Sequence, residues 1–208
     1  MNKGECVVVV FSKAPVPGTV KTRLLPDLNA DDAARLYREL LERTLNTVTG
    51  NAQWHTQLWC TPTIDHPCFL ECRDKYQVEL RLQSVGDIGE RMHRAISESL
   101  RNFRSALLIG CDCPELQHAD LVTARDKLAD GYDVVLGPAS DGGYYLIGMA
   151  AAHREVFTGI NWGMNTVLPV TRDRIRGLRL ACYELPDRWD LDNVEDMKKY
   201  RNLVACGL

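Results

Sequence analysis

Between Cys6 and Leu24 the sequence reads CVVVVFSKAPVPGTVKTRL, and its second half gathers Ser12, Lys13, Gly18, Thr19, Lys21 and Arg23 behind an apolar run. Gly18 would let backbone amides approach a ligand closely, while Pro15 and Pro17 stiffen the loop. Arginine suits two-point contact with a phosphate and lysine neutralises it as a point charge. A strand emptying into such a loop is the layout of an anion-binding turn, and it predicts a nucleotide's phosphates there. The same residues would serve equally as a solvated Pro/Gly turn. Neither GxxxxGK[ST] nor GxGxxG is present, so the loop is not one of the common phosphate cradles.

Acidic residues supply the opposite charge. Asp112 follows the apolar stretch ALLIG and stands between Cys111 and Cys113. A carboxylate there overlooks the carboxyl edge of a sheet, where Mg²⁺ or Mn²⁺ bridging phosphates could use it; it could also be a turn aspartate before Pro114. Two sulfurs two residues apart, with no companion pair, argue against zinc. Farther on, DRWDLDNVED crowds Asp187, Asp190 and Asp192 ahead of the last helix. Asp192 with Glu195 fits a capping box, but like charges at a strand edge are costly unless a cation lies opposite. A metal between Asp112 and this cluster would remove the cost.

Three further loops could receive ligands. GDIGER contributes Gly86, Asp87, Gly89 and Arg91 at the start of a helix, SDGG places Asp141, Gly142 and Gly143 before a strand, and NWGMNT carries Trp162, Asn165 and Thr166. Structural turns use the same glycines, and Asn165 or Thr166 could simply cap a helix. The five histidines show no HExxH spacing and no GxSxG occurs, which argues against hydrolytic triads.

The elements that must position these loops follow from periodicity. Strands are expected at Val7 to Phe11, Trp54 to Cys60, Val78 to Leu82, Ala106 to Ile109, Asp133 to Leu136, Tyr144 to Met149 and Leu180 to Leu185. Helices are expected after an Asn29 cap through Val48, at Pro67 to Tyr76, Ile88 to Leu100, Asp120 to Leu128, Val167 to Ile175 and Val194 to Leu203. This alternation means a largely parallel sheet covered on both faces. The turn from Ser140 to Gly143 is too short for a crossover helix, so the strands beside it either pair antiparallel or are parted by an irregular loop.

With 208 residues, 45% of them apolar, the chain is expected to form one domain over residues 1–208. A net charge of -3 with interleaved signs argues against nucleic-acid binding and for small-molecule substrates. The eight cysteines repeat no CxxC spacing, and Cys6, Cys60 and Cys182 fall in expected strands, which favours a reducing cytoplasm. No run is long and apolar enough to span a membrane, and no signal-peptide pattern precedes the first strand. Oligomeric state is not legible.

Six segments in order, FSKAPVPGTVKTRL, GDIGERM, GCDCPEL, DGGYYLIGM, NWGMNT and DLDNVEDM, resemble a bacterial family of glycosyltransferase-A-like proteins. Its members are labelled arsenosugar-biosynthesis or radical-SAM-associated glycosyltransferases and are similar to the 2-phospholactate and molybdenum-cofactor guanylyltransferases. The resemblance implies a nucleotide-diphospho-sugar transferase fold: a Rossmann-like three-layer α/β sandwich around a mixed, mostly parallel seven-stranded sheet, with Mg²⁺ or Mn²⁺ at the nucleotide. It implies catalytic roles for Lys21, Arg23 and Asp112 and a metal held by Asp112, Asp190 and Asp192. Nucleotide contacts would come from Ser12, Lys13, Gly18, Thr19, Lys21, Arg23, Gly86, Asp87, Gly89 and Arg91. The second substrate would meet Asp141, Gly142, Gly143, Trp162, Asn165 and Thr166.

Two departures matter. Relatives begin the last helix with Thr-Pro-Glu-Asp, whereas this chain reads Asn193, Val194, Glu195, Asp196, which leaves Asp187 open as a metal ligand. Where many glycosyltransferases of this fold carry DxD, this chain has CDC. The expected activity is glycosyl transfer from a nucleotide sugar to a small-molecule acceptor. The alternatives are nucleotidyl transfer from a nucleoside triphosphate to a phosphorylated small molecule, and a non-catalytic nucleotide-binding module.

Overall fold

The computed structural model describes residues 4–50 and 53–205, which leaves Cys206 outside. Seven strands form one sheet: β1 (Gly4–Lys13), β2 (His55–Thr61), β3 (Glu79–Leu82), β4 (Phe103–Ile109), β5 (Val134–Pro138), β6 (Tyr144–Met149) and β7 (Cys182–Glu184). Between and after them run α1 (Ala30–Thr49), α2 (Pro67–Tyr76), α3 (Ile88–Ser99), α4 (His118–Ala129), α5 (Val167–Gly177) and α6 (Val194–Ala205). The strand order is β3-β2-β1-β4-β6-β5-β7.

The four valines from Val7 to Val10 have no solvent exposure, as expected of a central strand buried on both faces. Period-two alternation sends them to different layers. Val8 and Val10 pack with Leu41 and Leu45 of α1, Phe69 of α2 and Leu121 of α4. Val7 and Val9 pack with Met92 and Ile96 of α3 and Leu168 and Ile175 of α5. The three-layer sandwich expected of this sequence is therefore the structure it adopts.

Strand β6 runs antiparallel to both β4 and β5, while the other pairings are parallel. Of the two readings of the short turn at Ser140, antiparallel pairing is the one realised. The chain leaves β1 toward β2 on one side and has β4 on the other, so β1 and β4 flank a switch point, where open α/β sheets bind ligands. Because β6 is reversed, its beginning lies at the edge where β1, β4 and β5 end. The topology thus delivers the loops after β1, β3, β4, β5 and β7 to one edge.

Some boundaries differ from expectation for local reasons. Helix α4 starts at His118 because the Asp120 carboxylate reaches back to accept from the Gln117 backbone N–H at 2.9 Å. Strand β7 is shorter than Leu180 to Leu185 because it pairs only with Val134, Val135 and Leu136. Asn29 caps α1 as expected, accepting from the Asp32 N–H at 2.8 Å. The expected Asp192–Glu195 capping box is not formed. Asn193 takes the cap, accepting from the Asp196 N–H at 3.1 Å while Asp196 returns a contact to the Asn193 N–H at 3.2 Å. This reassignment frees the Asp192 side chain for other work.

Candidate functional site

The basic loop leaves β1 at Lys13 and closes on itself. Lys13 Nζ donates to the Thr19 carbonyl at 2.9 Å, and Thr19 Oγ1 donates to the Val16 carbonyl at 2.9 Å. Gly18 takes φ +76° in the open, a conformation glycine adopts without penalty. Lys21 then enters the left-handed region at φ 48°, ψ 38°, which costs a side-chain-bearing residue about 1–2 kcal/mol. That turn starts a short 3-10 helix over Thr22–Leu24, and it aims the Lys21 side chain inward, 4% exposed.

What holds the loop is a small apolar cluster. Leu24, Leu40 of α1 and Leu191 are buried together, with Trp189 and Val194 packed beside them. Leu191 lies between Asp190 and Asp192, so burying it presses the acidic segment against the basic loop. The Leu191 N–H also donates to the Asp112 carbonyl at 2.9 Å, tying in the loop after β4.

At the junction, Lys21 Nζ lies 2.6 Å from Asp112 Oδ1 and 3.3 Å from Asp192 Oδ1, and it donates to the Leu191 carbonyl. Burial opposes the Lys21 charge, but Asp112 and then Asp192 outweigh it and hold the ammonium above its usual pKa. Asp112 Oδ1 is enclosed, with the Lys21 ammonium against it. Arg23 Nη1 reaches Asp192 Oδ2 at 3.1 Å. Asp190 makes none of these pairings. Burial, then Asp112, Asp141 and Asp192, push its carboxyl up to about 7, with Lys21 pulling the other way.

Two clefts meet here. One, of about 340 Å³, is lined by Lys13, Thr19, Lys21, Arg23, Asp112 and Asp192. The other, of about 280 Å³, is lined by Asp141, Gly143, Tyr144, Trp162, Met164 and Asp190 among others, and Arg23 borders both. Asp141 Oδ1 accepts from the Gly143 N–H at 2.8 Å, shaping the turn. Gly142, at φ +91°, lies so close to Asn165 that a Cβ would come within 2.2 Å of its carbonyl oxygen. Asn165 and Thr166 are exposed, and Thr166 precedes α5 without a side-chain cap bond.

The GDIGER loop is placed differently. Asp87 is spent on capping α3, accepting from the Glu90 N–H at 2.8 Å. Gly89 is buried beneath the Trp162 ring, where a Cβ would meet Cζ2 at 2.4 Å. Gly86, at φ +117°, turns the chain into the helix. Arg91 donates to Gln83 Oε1 at 3.0 Å, and Gln83 Nε2 donates to the Ser12 and Trp59 carbonyls at 3.2 and 2.8 Å. Arg91 and Ser12 are thus linked through Gln83 at the sheet edge.

Sequence reasoning missed Gln83, Tyr37 and Arg188. Tyr37 was legible only as part of an apolar helix face, yet its hydroxyl accepts from the Lys13 N–H at 2.9 Å and it lines the first cleft. A tyrosine on a core face was the available signal, because a buried hydroxyl needs a partner. Arg188 pairs with buried Asp120 at 3.0 Å, and its backbone bonds to Pro138 and Ser140. It anchors the acidic segment from below. Asp187, exposed, is not among the residues lining either cleft.

The acids at this edge offer oxygen donors only. Cys111 and Cys113 are buried, and burial pushes the Cys111 thiol up to about 12, so neither is presented as a thiolate. Among the described residues no group of three His, Cys, Asp or Glu is poised to hold an ion. That is compatible with Mg²⁺ or Mn²⁺, which take one or two carboxylates and complete their shell with water and substrate phosphates. The enclosed Asp112 oxygen facing a cation fits such a site, although Lys21 now fills the position.

A family described as "Uncharacterized protein conserved in bacteria (DUF2064)" matches residues 44–164. A solved structure from Desulfovibrio desulfuricans G20, whose own assignment as a nucleotide-diphospho-sugar transferase is provisional, is 33% identical with a TM-score of 0.87, covering 96% of this chain and 87% of that one. A cytidylyltransferase from Leptospira borgpetersenii serovar Hardjo-bovis superposes with a TM-score of 0.63 at 15% identity, covering 99% and 88%. Glucosyl-3-phosphoglycerate synthase from Mycobacterium tuberculosis, solved with Mn²⁺ and uridine diphosphate, gives 0.57 at 10% identity, covering 90% and 71%. The last two share the fold. No curated protein matches this sequence.

Proposed function

The chain belongs to the DUF2064 family, and on that premise we propose that it is a divalent-metal-dependent glycosyltransferase carrying a sugar from a nucleotide diphosphate to a small-molecule acceptor. The observation that carries this reading is the meeting of Lys21 with Asp112 and Asp192, from loops 91 and 171 residues away in sequence. A buried cation between two carboxylates at a switch point is costly to assemble for stability alone. It supports a phosphate site with a metal position beside it.

Lys21 and Arg23 would take up the charge that develops on the departing phosphate, a role in which positioning and electrostatics supply most of the rate. Asp112, with Asp190 or Asp192, would hold Mg²⁺ or Mn²⁺. When bound, the ion supplies Lewis-acid neutralisation of the phosphate oxygens. Asp141, across the second cleft, would orient the acceptor and take its proton. One domain would carry all of these parts. Within the resemblance to arsenosugar-biosynthesis glycosyltransferases and guanylyltransferases, this reading sides with the former.

A thermal-shift series with nucleotide sugars and nucleoside triphosphates, each with and without Mn²⁺, tests it. Binding of a nucleotide diphosphate that requires Mn²⁺ and is lost in Asp112→Asn is the expected result. Stabilisation unaffected by chelator and by that variant would fit a non-catalytic module instead. A second reading, nucleotidyl transfer, is favoured by the lone carboxylate at the end of β4. Release of pyrophosphate from a nucleoside triphosphate would select it.

A further inference from the structure

We infer that the second cleft accepts a neutral, polyhydroxylated molecule, a sugar ring or polyol, rather than a phosphate monoester. This rests on the function proposed above and gives its acceptor a chemical class. Of the two carboxylates lining this cleft, Asp190 is among those proposed above to hold the metal, and Asp141 is left to face the single guanidinium of Arg23. That guanidinium is already engaged by Asp192 at 3.1 Å. Asp141 commits only one oxygen, to the Gly143 N–H, and has no cationic partner among the described residues. A phosphate monoester brings roughly 1.5 to 2 further negative charges and would have to sit beside Asp141 with no free guanidinium to offset them.

Hydroxyls suit the same surface. A carboxylate is a pure acceptor with about four lone-pair positions, so Asp141, with one oxygen on the Gly143 N–H, can accept from a diol without adding charge. Tyr144, Trp162 and Met164 provide apolar wall for the C–H face of a ring, and Trp162 is held in place by its packing on Gly89. The volume, about 280 Å³, is at the small end of ligand cavities, the size for one ring rather than a chain of them. In the step this implies, an acceptor oxygen bonds to the anomeric carbon of the donor sugar. The bond from that carbon to the β-phosphate oxygen breaks, its electron pair leaves with the nucleoside diphosphate, and the hydroxyl proton passes to Asp141.

The experiment uses the full chain saturated with uridine or guanosine diphosphate and Mn²⁺, whichever binds. Calorimetry then compares glucose and myo-inositol with glucose 1-phosphate and inositol 1-phosphate. At least one neutral compound should bind 10-fold or more tightly than its phosphate. Asp141→Asn, which keeps the acceptor for the Gly143 N–H, and Trp162→Ala should each weaken it by 10-fold or more, with nucleotide affinity changed less than 3-fold. Preference for the phosphates overturns the inference, as does binding of neither class at 10 mM or indifference to both substitutions. Failure of any nucleotide to bind the wild-type protein would instead overturn the proposed function.

Discussion

Lys21 Nζ sits 2.6 Å from Asp112 Oδ1 and 3.3 Å from Asp192 Oδ1, so the ammonium fills the space a cation shared by those carboxylates would take. A metal arriving without nucleotide must displace it, whereas nucleotide phosphates give Lys21 somewhere else to go. Lys21→Met should therefore strengthen Mn²⁺ binding in the absence of nucleotide, by about tenfold, or 1.4 kcal/mol. It should also raise the catalytic barrier by roughly 2.7–4 kcal/mol, by analogy with a lost oxyanion donor. Mn²⁺ titration followed by calorimetry checks the first effect; equal affinity in both proteins would show that Lys21 does not occupy the metal's place.

The cluster of Leu24, Leu40 and Leu191 is what presses the basic loop on the acidic segment. Leu24→Ala should cost about 2–5 kcal/mol, the range for emptying a fully buried leucine site. Urea unfolding measures the loss. Nucleotide affinity should fall along with it, though Leu24 touches no ligand, because the two charged segments lose their common support.

Asp190, pushed up to about 7 by burial and then by Asp112, Asp141 and Asp192, gives a pH dependence of definite sign. In the unfolded chain an aspartate titrates near about 3.9. Between these values the folded, metal-free protein holds the extra proton, so this group's contribution is fully present below the unfolded pKa and is lost as pH rises through about 7. Urea midpoints in chelator at several pH values should decline more steeply toward neutrality for wild type than for Asp190→Asn. Parallel curves would contradict the assignment.

The reassigned cap can be tested by stability alone. Asn193→Ala should cost about 1 kcal/mol, as removal of a capping side chain does, while Glu195→Ala should be close to neutral. Thermal midpoints of the two variants decide it, and the reverse order would restore the Asp192–Glu195 box.

Gly142→Ala should be poorly tolerated. Its φ of +91° disfavours a side chain, and the Cβ would meet the Asn165 backbone at 2.2 Å. A loss of about 1–3 kcal/mol is expected from the strained backbone, measured by urea unfolding. A neutral result would mean that the Gly142 turn and the Asn165 loop are free to part.

Much of this was legible in the chain itself. Val7 to Val10 announce a central strand because a run with no polar alternation must be buried on both faces, and the alternation of strands with helices announces the layers. The residue types that could meet a phosphate or a metal were visible too, but the same charges and glycines serve a solvated turn equally well, so their types alone did not choose between the two. Pairing across long separations was not legible. Nothing local in KTRL or DLDN says that Leu24 and Leu191 share a cluster, that Asn193 rather than Asp192 caps α6, or that Asp87 is spent on its own helix. Those outcomes depend on which groups compete for one position once the backbone is closed. Only the tertiary structure decides that Lys21, buried and backed by Leu191, stands between Asp112 and Asp192.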